Sequence, residues 1–241
     1  MKEIIKPNVL VPGFPRAGTS YLYNLLKQHK DIDVTDEKEI GWWRKFPLLT
    51  SHPHLINMKF FYPRSWYYNK FKVDKKVVMD FSVMAGYDKT SAMRVKRELG
   101  EIKIIFVIRN KEDHEKSIRN SMLKHHGEKI MIDTSVYSDF ERWIGYYKDV
   151  FEEVLVVEFD KLTKDTVETY KEICEFLGLE YQEVETDIYE ESYKVKFEDK
   201  DKEEGNFGKK MKFVRFRIKR NVWKIISAVF TIVFGRSSFR D

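Results

Sequence analysis

Four short apolar runs stand out along the first three quarters of the chain: residues Asn8 to Phe14, Val77 to Phe81, Ile102 to Ile108 and Val154 to Phe159. Each has strand length. The run IKIIFVI at 102–108 is apolar almost throughout, as expected of a strand covered on both faces. Between the runs the spacing changes to that of helices. Within Thr19 to His29 the apolar positions are Tyr21, Leu22, Leu25 and Leu26, one face of a helix. Further helices are predicted over Lys89 to Leu99, Lys111 to Lys124 with Asn110 as cap, Val136 to Phe151, and Thr166 to Leu177. Gly178 closes the last of these as a C-terminal glycine stop. Strands alternating with helices predict an α/β fold, a P-loop-like parallel sheet flanked by helices.

Two stretches break the alternation. Residues Asp31 to Lys75 are irregular and rich in aromatics, prolines and histidines, which predicts a functional loop region with short helices. Beyond Glu190 the chain is dense in both charges, then basic from Lys209 to Arg220, then uncharged from Ile225 to Phe234. A domain over 1–200 and a tail over 201–241 follow from this shift. The ten uncharged residues are fewer than the about 20 needed to cross a bilayer. Two readings of the tail stay open: a helix packed on the domain, or a membrane-peripheral segment lying on an anionic surface.

Composition narrows the class. With 241 residues and 42% hydrophobic content the chain is long enough for one sizeable core. A net charge of +5 is too small an excess for a nucleic-acid footprint, so no nucleic-acid partner is expected. The single cysteine, Cys174, excludes an internal disulfide and reads as a buried helical thiol. No metal-ligand spacing occurs, so no metal is expected. Met1 to Leu10 is too short and polar for a signal peptide, and a reducing, cytoplasmic setting is the expectation.

The chemistry starts at the turn Gly13-Phe14-Pro15-Arg16-Ala17-Gly18-Thr19-Ser20, between the first strand and the first helix. Backbone amides at such a turn, together with the helix N-terminus, favour a phosphate or sulfate. A nucleotide triphosphatase loop would read G-x-x-x-x-G-K-[ST]. Thr19 stands where that lysine belongs, and Arg16 inside the turn supplies the positive charge. A plain strand-to-helix turn is the bland alternative. A second anchor follows the most apolar strand: Arg109-Asn110, then Ser117 two turns into the next helix. An arginine fork and a hydroxyl suit one phosphate group; a salt-bridging arginine and a solvated serine is the alternative.

Together these pieces resemble the two nucleotide-binding motifs of the sulfotransferase superfamily, P-[KR]-x-G-[ST]-[ST] and R-N-P-x-[DE]-R-x-x-S. Here they read PRAGTS and RNKEDHEKS. The arginine-to-serine spacing is kept, whereas Lys111 replaces the family proline and His114 the second arginine. Lys38-Glu39 followed by Trp42-Trp43 is similar to the K-E-x-x-F-F segment of carbohydrate sulfotransferases. The similarity runs over most of residues 8 to 180.

The resemblance implies transfer of a sulfuryl group from 3′-phosphoadenosine 5′-phosphosulfate (PAPS) to a hydroxyl or amine, with a carbohydrate as the leading acceptor class and a lipid or small phenol as others. It implies that Arg16 and the amides and hydroxyls of Ala17, Gly18, Thr19 and Ser20 hold the 5′-phosphosulfate. By the same resemblance Arg109 and Ser117 hold the 3′-phosphate, and Glu39 is the catalytic base. The aromatic region Trp42 to Tyr68 either shapes the acceptor site or packs as a loop core, and Asp80 and Ser82, at a strand end, are undecided candidates to face the acceptor. Rival readings are a P-loop kinase-like phosphotransferase using ATP and a non-catalytic membrane-peripheral or carbohydrate-binding protein.

Overall fold

A computed structural model describes residues 4–36, 38–44, 58–126 and 134–188. The tail predicted over 201–241 lies outside the described residues, as do Lys45 and the histidines at 52 and 54.

Five parallel strands form one sheet in the order β2-β3-β1-β4-β5: β1 (Val9–Leu10), β2 (Ile32–Val34), β3 (Val77–Asp80), β4 (Lys103–Ile108) and β5 (Val154–Glu158). The helices are α1 (Thr19–Leu26), α2 (Arg64–Tyr68), α3 (Lys89–Leu99), α4 (Lys111–His126), α5 (Phe140–Lys148), α6 (Phe159–Lys164) and α7 (Thr166–Leu177). The expected α/β fold with a parallel sheet is what the chain adopts. Successive residues of a strand point to opposite faces. Accordingly, β4 sends Ile104 and Phe106 into a core shared with Trp42, Trp43, Tyr67, Ala92, Val95 and Tyr147. Its Ile105 and Val107 enter a second core with Leu22, Leu25, Tyr170 and Ile173. The sheet is therefore covered on both faces, which is why β4 could be apolar at nearly every position.

Several predicted bounds move, each for a local reason. The first strand was expected to reach Phe14 but pairs only at Val9 and Leu10; Val11 adds a last amide bond to the Asp80 carbonyl at 2.8 Å. Pro12 has no N–H to continue the ladder. The helix expected over 136–151 divides into a 3-10 turn, Ser135–Ser138, and α5. There the Trp143 indole N–H donates to the Val136 carbonyl at 2.8 Å, and the Ser138 hydroxyl is committed to His114 at 2.7 Å. Strand β2 fell inside the stretch read as irregular, because three residues carry too little periodicity to register. Helix α6 begins at Phe159, which the apolar pattern had assigned to the end of a strand. Elsewhere the reading holds. Asn110 Oδ1 accepts from the amides of Glu112 and Asp113 at 3.0 and 3.3 Å, Gly178 ends α7 with φ 68°, and Cys174 is buried in that helix. No helix among the described residues is long and apolar enough to cross a membrane.

Candidate functional site

Because all strands run in parallel, their carboxyl ends share one edge of the sheet, where open α/β folds bind ligands. Each strand delivers a polar or aromatic group there. The turn 11–18 follows β1, Lys38 and Glu39 follow β2, Asp80 ends β3, Arg109 follows β4 and Phe159 follows β5.

Helix α1 starts at Gly18, whose φ is 104°, with no side-chain cap and no acidic residue in the first turn. Its own first turn therefore offers no carboxylate to compensate the positive end, an arrangement that attracts an anion. Glycine at 18 is demanded twice. The left-handed backbone disfavours any side chain, and a Cβ there would lie 2.2 Å from Cδ2 of Phe159. The Phe159 ring in turn carries the Arg109 guanidinium, 4.9 Å from its centroid. Arg109 Nε is buried without a hydrogen-bond partner among the described residues, a cationic donor group suited to an anion. Within the turn, Arg16 has φ 68°, and the Ala17 amide is already used, donating to the Phe14 carbonyl at 3.2 Å.

Arg16 Nε donates to Ser117 Oγ at 3.2 Å, across 101 residues. The first motif and the second therefore touch. A second cation completes the turn: Lys38 Nζ donates to Ser20 Oγ at 2.8 Å and to Thr19 Oγ1 at 3.3 Å. The ammonium missing after Gly18 thus arrives from the far side of β2.

His114 occupies the place of the family's second arginine. It is fully buried, with Nε2 at 2.9 Å from the Pro15 carbonyl and Nδ1 at 2.7 Å from Ser138 Oγ. A carbonyl only accepts, so Nε2 carries the hydrogen and Nδ1 accepts from the serine. Burial pushes its pKa down, the bond to Pro15 opposes this, and the charges of Arg109 and Arg16 push the same way as burial. His114 is thereby held as a neutral strut between α4 and the phosphate turn.

Glu39 also has a left-handed backbone, φ 67°, unusual for a side chain of this size. Its amide donates to the Phe81 carbonyl at 3.0 Å. Glu39 is an exposed residue, yet its carboxylate lies close enough to the protein to be desolvated, as in an open recess. Its pKa is pushed up to about 7, first by desolvation and then by the Asp80 charge, against the pull of Lys38, the Met84 amide and Arg44. A carboxylate so raised is suited to accept a proton near neutral pH.

Of the residues singled out by sequence, Arg16 and Ser117 form one hydrogen-bonded pair, and Thr19 and Ser20 are bridged by Lys38, the added partner. Gly18 and Arg109 meet through Phe159. Glu39 is brought to the group through its neighbour Lys38. Sequence reasoning quoted Lys38 without giving it a role; its signal was the lysine absent from the turn. Phe159 and His114 gave no signal that spacing could reveal. In the aromatic region, Trp42, Trp43 and Tyr67 are buried, so for these residues the packed-core alternative is the correct one. Asp80 is turned inward: Oδ2 accepts from the Trp43 indole and the Tyr67 hydroxyl, Oδ1 from Ser82 Oγ, each at 2.7 Å. Both Asp80 and Ser82 are buried.

Comparison with known proteins agrees with this architecture. A family model described as a sulfotransferase domain matches residues 6–216. A sulfotransferase from Alicyclobacillus acidocaldarius superimposes with a TM-score of 0.61 at 23% identity, covering 78% of this chain and 90% of that one. The sulfotransferase domain from the curacin biosynthetic pathway gives 0.53 at 13% identity, covering 75% and 76%. No curated protein matches the chain.

Proposed function

This chain belongs to the sulfotransferase domain family and is a sulfotransferase, and we propose that its donor is PAPS and its acceptor a hydroxyl or amine of a carbohydrate. The observation that carries the donor reading is the contact between Arg16 and Ser117. It brings together the residue read as an anchor for a 5′-phosphosulfate and one read as an anchor for a 3′-phosphate, which supports a donor that carries both groups. The donor set fits such a ligand. Arg16, Lys38 and Arg109 are cations, Thr19, Ser20 and Ser117 bring hydroxyls, and α1 presents an uncapped N-terminus.

Sulfuryl transfer, like phosphoryl transfer, spreads charge over equatorial oxygens and asks mainly for positioning and electrostatic stabilisation. Glu39 takes the proton of the acceptor. The acceptor oxygen or nitrogen forms its bond to sulfur as the bond from sulfur to the 5′-phosphate oxygen breaks. Arg16 and Lys38 stabilise the charge that returns to that oxygen, while Arg109 and Ser117 hold the 3′ end. The carbohydrate reading is supported by the K-E segment at Lys38-Glu39 and by the basic carboxylate that the recess maintains.

Two measurements test this. By calorimetry, adenosine 3′,5′-bisphosphate should bind more tightly than ADP; equal affinities would remove the donor assignment. Transfer of radiolabelled sulfate from PAPS should then appear on members of a glycan panel in preference to lipids and phenols; label on phenols alone would replace the acceptor.

A further inference from the structure

Asp80 is fully buried, yet its carboxylate is given three donors, all of them neutral: the Trp43 indole, the Tyr67 hydroxyl and the Ser82 hydroxyl. An indole N–H can only donate, so Oδ2 is fixed as an acceptor. Burial alone favours the protonated acid, and the three hydrogen bonds work against it. Among the described residues, no cation is one of the groups that act on Asp80. A buried charge without a counter-ion is expensive to maintain, and a neutral side chain would pack there more cheaply. Its presence asks for a use.

The use is visible in what Asp80 is tied to. Trp43 lies four residues after Glu39, and the Glu39 amide itself donates to the carbonyl of Phe81, next to Asp80. The turn 39–43 is therefore clamped onto the end of β3 at both ends. It is also the turn that holds Glu39 at φ 67°. Tyr67, the other Oδ2 partner, stacks on Trp42 with centroids 4.5 Å apart and closes the same turn from outside.

We propose that Asp80 is a positioning residue for sulfuryl transfer: its buried carboxylate, held by Trp43, Tyr67 and Ser82, pins the turn that carries Glu39 and supplies the negative charge against which Glu39 works as a base. The inference rests on the reading of Glu39 as the base. The charged groups facing Glu39 are Lys38 and Arg44, which favour its ionised form, and Asp80, which opposes it; the Met84 amide adds one hydrogen bond. Desolvation is the largest influence and raises the proton affinity of Glu39, whereas Lys38 and Arg44 lower it. Asp80 adds to the desolvation from a fully buried position.

The substitution that isolates the charge is Asp80→Asn. The amide is nearly isosteric, its oxygen can accept from Trp43 and Tyr67, and its NH2 can face Ser82, whose hydroxyl rotates to accept. Profiles of kcat/KM against pH are compared for wild type, Asp80→Asn, Trp43→Phe and Glu39→Gln, with affinity for adenosine 3′,5′-bisphosphate as the control for folding and for the donor site. Asp80→Asn should move the acidic limb down by about one pH unit with bisphosphate affinity unchanged. Trp43→Phe keeps the charge and loosens the turn, so kcat should fall about 10-fold while donor KM holds. Glu39→Gln should abolish turnover. An acidic limb at the wild-type position in Asp80→Asn, with Glu39→Gln inactive, overturns the role of Asp80 alone. Substantial turnover in Glu39→Gln overturns the base reading beneath it. Should Asp80→Asn fail to bind the bisphosphate, Trp43→Phe decides: wild-type kcat in that variant overturns the proposal.

Discussion

The Nε of Arg16 donates to the hydroxyl of Ser117 at 3.2 Å, joining the turn before α1 to the second turn of α4. One bond thus unites residues from the two ends of a long crossover. Under the proposed donor, Arg16 would engage the 5′-phosphosulfate and Ser117 the 3′-phosphate.

Ser117→Ala removes a hydroxyl from that point without altering the helix, since alanine is the best helix former. A hydrogen bond to a charged group contributes about 1.5–3 kcal/mol. Affinity for adenosine 3′,5′-bisphosphate should fall about 10- to 100-fold, measured by calorimetry, and affinity for ADP should hardly change. Equal losses for both nucleotides would detach Ser117 from the 3′-phosphate.

How much of this was written in the sequence depends on whether a feature is local. The α/β alternation, the Asn110 cap, the Gly178 stop and the turn at 13–20 each rest on neighbouring residues, and each was legible. Strand β2 was not, because Ile32–Val34 is too short to display a period. Lys38, Phe159 and His114 act through partners at 18, 141 and 99 residues' distance respectively, and no local spacing encodes such contacts. The aromatic stretch stayed undecided for a related reason: only the packing of α2 and α3 shows that Trp42 and Trp43 are core residues.

Gly18→Ala tests the stack at the turn. The left-handed backbone costs a side chain about 1–2 kcal/mol, and the new methyl would overlap the Phe159 ring. Phe159 must shift, and the Arg109 guanidinium resting on it shifts too. The variant should lose stability in thermal melts and lose bisphosphate affinity beyond what the melt explains. Ala17→Ser, one residue away, has no φ demand of this kind and serves as the comparison.

His114→Ala should destabilise the fold by about 2–4 kcal/mol, since the Pro15 carbonyl and the Ser138 hydroxyl lose a buried partner. The folded-state pKa of His114 lies below its ordinary value. Its contribution to stability is therefore present above the ordinary histidine range and is lost as pH falls through that range toward the depressed folded value. Denaturant midpoints of the wild type should decline from pH 7 to 5, and His114→Gln, which cannot titrate, should decline less. Parallel declines in the two proteins would mean that other groups set the slope.

Glu39 combines a positive φ with a carboxylate whose pKa is pushed up to about 7, by desolvation and by Asp80. A raised folded-state pKa means that the protonated form is the one favoured by folding. The stabilisation from that form is complete below the ordinary glutamate range and is lost as pH rises through about 7. Glu39→Gln fixes the side chain in a neutral state of the same shape. It should therefore melt at a higher temperature than the wild type at pH 8, and the gap should close on going to pH 5, where both side chains are neutral in the recess. Turnover moves oppositely, absent at every pH. A Glu39→Gln variant more stable than the wild type at pH 8 would show that the ionised carboxylate costs the fold stability, as the proposed base role expects. A Glu39→Gln variant melting below the wild type at pH 8 would place the carboxylate in an environment that favours its charge, and would leave it without the proton affinity a base requires.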